Sequence, residues 1–373
     1  MKIVLVVDYF GDTTNGTTVT TRLLHDSLVK FGHEVKILCG KGNGWKNVYE
    51  TGFLKIPILY YYCRKNGFLM AKTNKKVFKE VLDGADLVHF LADFPMDRAA
   101  KKYCDKHNIK TSAAFHIQPE NATAQLHLNV KFINDLVYVH YRRIFFRKFS
   151  DIHCPSNMIA NQLKEHHYKA NLHVISNGIN EKFHPIESPR PSEYKDKYLI
   201  IMVGRISREK RQDLVIKAVA KSKYAKDIQL LLLGKGTWLN KIKRLSKRKL
   251  INPAKILFTN QDELLKVLNY CDLYVHASDI EIEAISCMEA FACGLVPVIS
   301  DSKLSATSQF ALTDNNKFKK GNYHDLANKI DYWIEHKEEK DELSKKYVEY
   351  AKEYHSEKCV KKMNDLFLDI IKR

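Results

Sequence analysis

The stretch VGRISREK, residues 203–210, continues an apolar run of strand length, YLIIMV at 198–203. Arg205 and Lys210 therefore follow the carboxyl end of a predicted buried strand, which is where open α/β sheets bind their ligands. A guanidinium and an ammonium at this position can clamp a diphosphate without a metal ion. The segment predicts a doubly wound α/β domain with an anion site at the edge of its sheet.

A second stretch, DIEIEAISCMEAFACGLVPVIS at 279–300, carries two glutamates, Glu281 and Glu289, with seven residues between them. Glu289 lies inside an apolar helical pattern, where an ionised side chain needs a partner. Glu281 lies at or just before the start of that helix, whose free N–H groups also favour a phosphate. Two carboxylates that accept hydrogen bonds from hydroxyls, together with two cations, predict a site for a sugar nucleotide.

Short apolar runs alternate with helical patterns in two series, which predicts two domains with parallel sheets. The first series is IVLVV (3–7), EVKIL (34–38), DLVHFL (86–91) and TSAAFHI (111–117). The second is YLIIMV (198–203), IQLLLLG (228–234), KILFT (255–259), LYVHA (273–277) and VPVIS (296–300). Three prolines interrupt the pattern within 184–197, so the predicted domains are 1–183 and 184–350, followed by a terminal helix at 351–373.

Several segments in this order resemble the retaining glycosyltransferases of GT-B fold, specifically glycosyltransferase family 4, over nearly the whole chain. They are MKIVLVVDYF at the start, VISNGIN (174–180), VGRISREKRQDLVIKAV from Val203, LLLGKG from Leu231, FTNQDELLKVLNYCDLYVHAS from Phe258, and EAFACGLVPVIS from Glu289. The chain departs from the usual pattern after the first glutamate, where Ile282, Glu283 and Ala284 replace Gly-Phe-Gly. Glu283 is expected to be a surface residue.

The resemblance implies a role for each site residue. Arg205 and Lys210 would stabilise the departing nucleoside diphosphate, Glu289 would hold the ribose hydroxyls, and Glu281 the hydroxyls of the transferred sugar. His116, at the end of a predicted strand, matches a histidine that the family uses beside the sugar. The residues expected near the nucleotide are Gly16, Gly204, Gly234, Gly236, Asn260 and Ser286. The terminal helix would cross back onto the first domain, and neither a metal nor a cofactor is expected beyond the donor substrate.

Structural roles are the alternatives for these residues. The two cations could be ordinary surface residues, and a buried glutamate could cap backbone amides or pair with a lysine. Gly234 and Gly236 could mark a strand-to-helix turn. The loop that contains Gly11, Asn15 and Gly16 could be a surface turn, and His116 could be a structural histidine.

Three further polar residues are candidates for the acceptor site: Gln118, Glu120 and Asn121.

The formal net charge of +18 predicts an anionic partner or surface. The chain has no nucleic-acid-binding motif, so a membrane is favoured over nucleic acid, although a lysine-rich codon bias could supply part of the charge. Residues 45–80 carry eight Lys/Arg against two acids, with interleaved aromatic residues, which is typical of an interfacial element. Residues 131–150 are a second candidate, whose apolar positions could instead pack in the core.

The chain has no apolar run of membrane-spanning length, and its first residues predict a strand and not a signal peptide. A cytoplasmic protein, peripheral on the inner face of the cell membrane, is therefore expected. Its eight cysteines include no C-x-x-C pair, which predicts buried thiols and no zinc site.

The combined prediction is a retaining, metal-independent transferase that moves a hexose from a nucleoside-diphosphate sugar, with UDP favoured, to a membrane lipid or lipid-linked saccharide. Three alternatives remain open at this stage. They are a glycosyltransferase for a small-molecule or protein acceptor, a GT-B epimerase of UDP-sugars, and a non-catalytic partner that binds nucleotide sugars.

Overall fold

The computed structural model describes residues 1–11, 16–57, 60–61, 69–125 and 128–373, which form two compact units. Unit 1 comprises Met1–Pro119, Asn129–Gly178 and Ser356–Arg373, and unit 2 comprises Glu120–Leu128 and Ile179–His355. Both units are α/β with a parallel sheet, as the alternation of strand and helix patterns predicts.

The long segment of unit 2 begins at Ile179, whereas the proline pattern placed the boundary at residue 184. The proline-rich segment belongs to unit 2 because its side chains pack against that unit and form hydrogen bonds with it. Tyr194 is buried in the core of the unit, and Arg190 donates hydrogen bonds to Asp272 Oδ1 and to the Tyr270 carbonyl, both at 2.8 Å. Prolines therefore mark an ordered segment here and not a linker.

The sheet of unit 1 has the order β3-β2-β1-β4-β5-β6-β7, with every neighbouring pair parallel. Its strands are β1 Lys2–Val6, β2 Glu34–Cys39, β3 Val48–Glu50, β4 Leu87–Phe90, β5 Lys110–Ala114, β6 Asp151–Cys154 and β7 Asn171–Val174. The described helices that begin in the first two segments of this unit are α1 Gly16–Lys30, α2 Lys75–Leu82, α3 Pro95–Lys106, α4 Pro119–Gln125, which continues into unit 2, α5 Lys131–Ile144 and α6 Asn157–Glu165. The pattern missed β3, β6 and β7, because they are short and carry polar residues.

The sheet of unit 2 has the order β10-β9-β8-β11-β12-β13, again with all neighbouring pairs parallel. Its strands are β8 Tyr198–Val203, β9 Ile228–Leu233, β10 Lys255–Leu257, β11 Leu273–His276, β12 Pro297–Asp301 and β13 Lys317–Lys319. Its other described helices are α7 Gln212–Val219, α8 Leu239–Lys249, α9 Gln261–Tyr270, α10 Ile285–Ala292, α11 Tyr323–Glu335 and α12 Lys337–Ala351. β8 and β9 are almost continuously apolar because helices cover both faces of the sheet.

The last helix, α13 at Ser356–Lys372, packs in the core of unit 1, which confirms the terminal helix that crosses back. Its apolar stripe buries Val360, Met363 and Phe367 among the strand residues of that unit. Gly178 lies against the start of this helix with a φ of 79°, and a Cβ at this position would come within 2.9 Å of the Ser356 Cα. Glycine is therefore required at position 178, where this segment packs against the first turn of α13.

Candidate functional site

The loop after β8 is held in place by its own side chains. Glu209 is buried and accepts a hydrogen bond from Ser207 Oγ at 2.6 Å, and Arg205 Nη2 lies 3.4 Å from the same carboxylate oxygen. Gln212 at the start of α7 donates to the Arg205 carbonyl at 2.8 Å. The backbone of Arg205 is thus fixed, while 54% of its side chain is exposed and can meet an anion.

Lys210 and Glu281 form an ion pair between the loop after β8 and the loop before α10. Glu281 is anchored by its backbone, because its N–H donates to the Leu304 carbonyl and its own carbonyl accepts from the Ala306 N–H. Burial raises the pKa of the Glu281 carboxyl, but Lys210 and His276, through their charges and hydrogen bonds, together outweigh that effect and the net pKa is lowered. Glu281 is therefore ionised at neutral pH and can accept hydrogen bonds.

A chain of polar contacts connects this pair to the end of β8. His276 Nε2 lies 3.3 Å from Glu281 Oε2, and His276 Nδ1 lies 3.2 Å from the Tyr274 hydroxyl. Tyr274 donates to Ser286 Oγ at 3.1 Å, and Ser286 donates to the Val203 carbonyl at 3.3 Å. Ser286 thereby fastens the first turn of α10 to the strand that leads into Gly204 and Arg205.

Glu289 lies inside α10 and is only 8% exposed. Among the residues that the structure describes, none donates a hydrogen bond to its carboxylate. Burial raises the pKa of Glu289 to about 8, and the charge of Lys182 only partly opposes this. Lys182 itself is paired with Asp262 at 2.7 Å. A buried carboxylate without donors is unfavourable, so this position suits a ligand that brings hydroxyl groups.

The predicted glycines allow two loops to pack backbone against backbone. A Cβ on Gly234 would lie 2.0 Å from the Gly204 oxygen, and a Cβ on Gly236 would lie 2.2 Å from the Ile206 oxygen. Gly204 and Gly234 also have φ angles of 146° and 148°, which side chains disfavour. The glycines therefore hold the loops after β8 and β9 together at the sheet edge.

We expect Gly234→Ala to lower the free energy of unfolding by about 3 kcal/mol, because backbone must move to admit the methyl group. Gly321→Ala is the matched control, since Gly321 has a φ of 76° but no atom within 4 Å of its Cβ position. That variant should lose only about 1 kcal/mol from the left-handed backbone. Chemical denaturation measures the free energy of unfolding of both variants. Equal losses would show that the close contact between the loops does not account for the cost of the Gly234 substitution.

Asn260 caps helix α9: its side-chain oxygen accepts from the Asp262 and Glu263 N–H groups at 3.0 and 2.9 Å. Glu263 Oε2 accepts from the Asn260 N–H in return. Nearby, Lys235 Nζ lies 3.6 Å from the centre of the Phe258 ring. The cap gives Asn260 a structural role, and its contact with a base stays a prediction.

In unit 1, His116 follows β5 and lines a small cavity with His89 and His153. Burial, with a smaller effect of His153, lowers the pKa of His116 to about 3, so the ring is neutral. Gly16 is the first residue of α1, whereas Asn15 lies outside the described residues. The ligand contacts predicted for His116 and Gly16 stay predictions.

The expectation that Glu283 is a surface residue is wrong, because it is only 4% exposed. The acceptor candidates Gln118 and Glu120 are also buried. Next to Glu283, Ala284 has a φ of 72° and a ψ of 59° where the family pattern has glycine. The turn into α10 thus keeps the left-handed conformation that glycine would adopt more easily.

The sequence patterns missed the contacts that join the two motif loops. Arg211 donates to Asp279 Oδ2 at 2.9 Å and to Asp213 Oδ1 at 3.2 Å. The Asp279 N–H donates to the Glu209 carbonyl at 2.8 Å. The sequence did carry one signal for the ion pair of Arg211 with Asp279, because these opposite charges flank the two motifs. Nothing in the sequence set Tyr274 or His276 apart from the other residues of β11.

Comparisons with known proteins agree with this architecture. The family described as Glycosyltransferase Family 4 matches residues 14–183, and Glycosyl transferases group 1 matches residues 184–354. An alpha-monoglucosyldiacylglycerol synthase from Streptococcus pneumoniae is 23% identical over 80% of this chain and 71% of its own. Among solved structures, Anabaena HepE in complex with UDP and glucose is 16% identical, covers 99% of this chain and 100% of its own, and has a TM-score of 0.76.

The catalytic domain of a cholesterol-alpha-glucosyltransferase from Helicobacter pylori is 49% identical over 42% of this chain and 98% of its own, with a TM-score of 0.41. Two doubly wound units, each built on a parallel sheet, form the GT-B fold of glycosyltransferases. The two family matches together span residues 14–354. The chain belongs to the group 1 glycosyltransferases, with a family 4 amino-terminal region.

Proposed function

We propose that this glycosyltransferase moves a hexose from UDP to a membrane lipid or lipid-linked saccharide, with retention at the anomeric carbon and without a metal ion. The observation that carries the nucleotide-binding part of the proposal is Glu289, a buried carboxyl group to which no described residue donates a hydrogen bond. A ribose diol supplies two donors at such a position. Ribose binding would thereby favour ionisation of Glu289, whose pKa is raised in the free protein.

Arg205 and Lys210 take the diphosphate in this scheme. Positive charge fixed at the strand end stabilises the negative charge that grows on the leaving UDP. Lys210 already contacts Glu281, so diphosphate and sugar-binding carboxylate share one cation. Glu281 then accepts hydrogen bonds from the sugar hydroxyls. The leaving phosphate assists the incoming hydroxyl on the same face, and no residue is assigned as a covalent nucleophile.

UDP and a lipid acceptor are supported by relatives. Anabaena HepE was solved with UDP and glucose, and the name of the Streptococcus relative specifies a diacylglycerol glycolipid. Among the described residues, no helix combines the length and hydrophobicity needed to cross a bilayer. A lipid acceptor would then be met at the membrane surface, by a peripheral enzyme on the cytoplasmic face.

Part of the basic aromatic region 45–80 suits such a surface and part does not. Lys72, Lys75 and Lys76 are exposed. Trp45, however, packs into unit 1, with its ring edge-on to Phe10 at 5.3 Å. The lysines therefore remain candidates for membrane contact, and so does Tyr61, which is 70% exposed, whereas Trp45 does not. Residues 58–59 and 62–68 of the region, with Tyr62 and Phe68, lie outside the described residues.

The second candidate, 131–150, also divides between the core and the surface. Phe132 and Leu136 of α5 are exposed, whereas Tyr138 is fully buried. The exposed pair could meet lipid.

One assay tests the donor, the acceptor and the activity together. The protein is incubated with UDP-glucose, other UDP-hexoses and GDP-hexoses, with and without diacylglycerol, glucosyldiacylglycerol, cholesterol or a total lipid extract. We expect UDP release that requires lipid and a product with the anomeric configuration of the donor. UDP release without lipid, or an epimerised donor, would favour the alternative activities. Binding of UDP with no turnover under any condition would contradict the proposal.

Activity should survive chelation, because Arg205 and Lys210 provide the charge that a metal supplies in other transferases. We expect the same initial rate in excess EDTA and in added magnesium, measured as product formed from radiolabelled donor. An enzyme that EDTA inactivates and magnesium or manganese restores would contradict the metal-free scheme.

A further inference from the structure

Helix α8 in unit 2 presents a strongly basic surface that the sugar-nucleotide site does not use. Residues 228–261 contain eight Lys/Arg and no Asp or Glu, a more one-sided stretch than 45–80. Six of these cations lie on α8 and all six are exposed: Lys241, Lys243, Arg244, Lys247, Arg248 and Lys249. Ile242 and Ser246 form its buried side, so the cations occupy the solvent side.

These cations form no ion pair with any residue that the structure describes. Arg244 Nε approaches only the Asn240 carbonyl, at 3.4 Å, and Lys241 Nζ lies over the Trp238 ring at 3.6 Å. Lys243 and Lys247, and likewise Arg244 and Arg248, are four residues apart, where like charges on a helix repel. Lys241 and Lys243 are also near the positive end of the helix dipole. This surface therefore carries positive charge that no described residue compensates, and an anionic surface would relieve the repulsion.

We propose that the basic face of α8 is a second membrane contact, which binds the acidic phospholipids of the leaflet that holds the acceptor. The choice of a membrane rests on the lipid acceptor proposed above. Clusters of four to eight Lys/Arg bind acidic lipid by charge alone, and α8 falls within this range. The next residue but one after the helix, Ile251, is 61% exposed and adds an apolar contact. Unit 2 would thus bring its own charge to the bilayer, independently of the lysines of region 45–80.

Charge reversal with a matched control tests this assignment. The test variant is Lys243→Glu, Arg244→Glu and Lys247→Glu. The control is Lys337→Glu, Lys345→Glu and Lys346→Glu on α12, which changes the same charge on exposed residues of the same unit. Binding of the full chain to vesicles of phosphatidylcholine, with and without phosphatidylglycerol, is measured by sedimentation at low and high salt. UDP-glucose affinity and melting temperature are measured in parallel.

We expect the parent to bind only the acidic vesicles and to dissociate at high salt, because screening weakens surface charge. The α8 variant should bind them at least about tenfold more weakly, since each cation contributes about 1 kcal/mol. The control should bind like the parent, and both variants should keep their UDP-glucose affinity. An α8 variant that sediments like the parent would overturn the proposal. So would a parent that prefers a short RNA duplex to acidic vesicles at equal salt and loses that binding in the variant.

The outcome is separable from the proposed function. If the α8 variant loses vesicle binding but binds UDP-glucose normally, the result bears on the role of α8 and not on the nucleotide site. Absence of any UDP-glucose binding in the parent concerns the nucleotide site, whatever the vesicles show. A triple variant of Lys72, Lys75 and Lys76 to glutamate, run alongside, tests region 45–80 by the same measurement.

Discussion

Replacement of Arg205 by alanine should lower turnover roughly 10²-fold or more and leave the fold intact. Its side chain is largely exposed and, among the described residues, contacts only Glu209, at a long distance, while Ser207 also donates to the same carboxylate. The loss of turnover would therefore reflect the absence of a positive charge beside the leaving diphosphate and not a disordered loop. Turnover with UDP-glucose and a lipid acceptor measures the effect. Lys221→Ala, an exposed cation near the end of α7, is the control and should be as active as the parent.

Lys210 needs a paired design, because its removal strands the partly buried carboxylate of Glu281. Lys210→Ala should lose as much turnover as Arg205→Ala and also some thermal stability. Lys210→Met with Glu281→Gln removes both charges and should recover the stability without recovering the turnover. If Arg205→Ala or Lys210→Ala keeps near-normal turnover, the diphosphate clamp is wrong.

Affinity for UDP-glucose should rise with pH between about 6 and 8, through ionisation of Glu289. The pKa of this group is raised to about 8 in the free protein. Ribose hydroxyls donate to the ionised form, so binding releases a proton and strengthens as the pH approaches the pKa. We expect a gain of roughly tenfold or more across this range in calorimetric titrations. UDP-glucose is the ligand of choice because its esterified diphosphate does not titrate there.

Glu289→Gln is the matched variant. Its affinity should be weaker than that of the parent at pH 8 and flat with pH. The free parent should also lose stability as the pH rises from about 4.5, the unfolded pKa, to about 8, because the folded state holds the proton more tightly. Glu289→Gln should therefore unfold at a higher temperature than the parent at pH 8 but not at pH 5. A parent whose affinity does not change with pH would contradict the ribose assignment.

The strands of both sheets with long apolar runs were predictable, because a parallel sheet covered on both faces demands such runs. IQLLLL and YLIIMV gave β9 and β8 within a residue. β6 and β7 were not predictable from periodicity, because DIHC and NLHV hold histidine, aspartate and asparagine side chains that only tertiary contacts satisfy. Asp151 of β6, for example, accepts a hydrogen bond from His173 Nε2 at 2.8 Å.

By itself, the sequence determined the fold class and the segments that carry the chemistry, because apolar periodicity and the placement of Arg205, Lys210, Glu281 and Glu289 depend on order along the chain. Only the tertiary structure decided the charge states of those residues. Glu281 lies against Lys210 and has a lowered pKa, whereas Glu289 is buried away from donors and has a raised one. The two glutamates are chemically identical in the sequence. Their opposite pKa shifts arise from distance to a cation and from burial, which are properties of the folded chain.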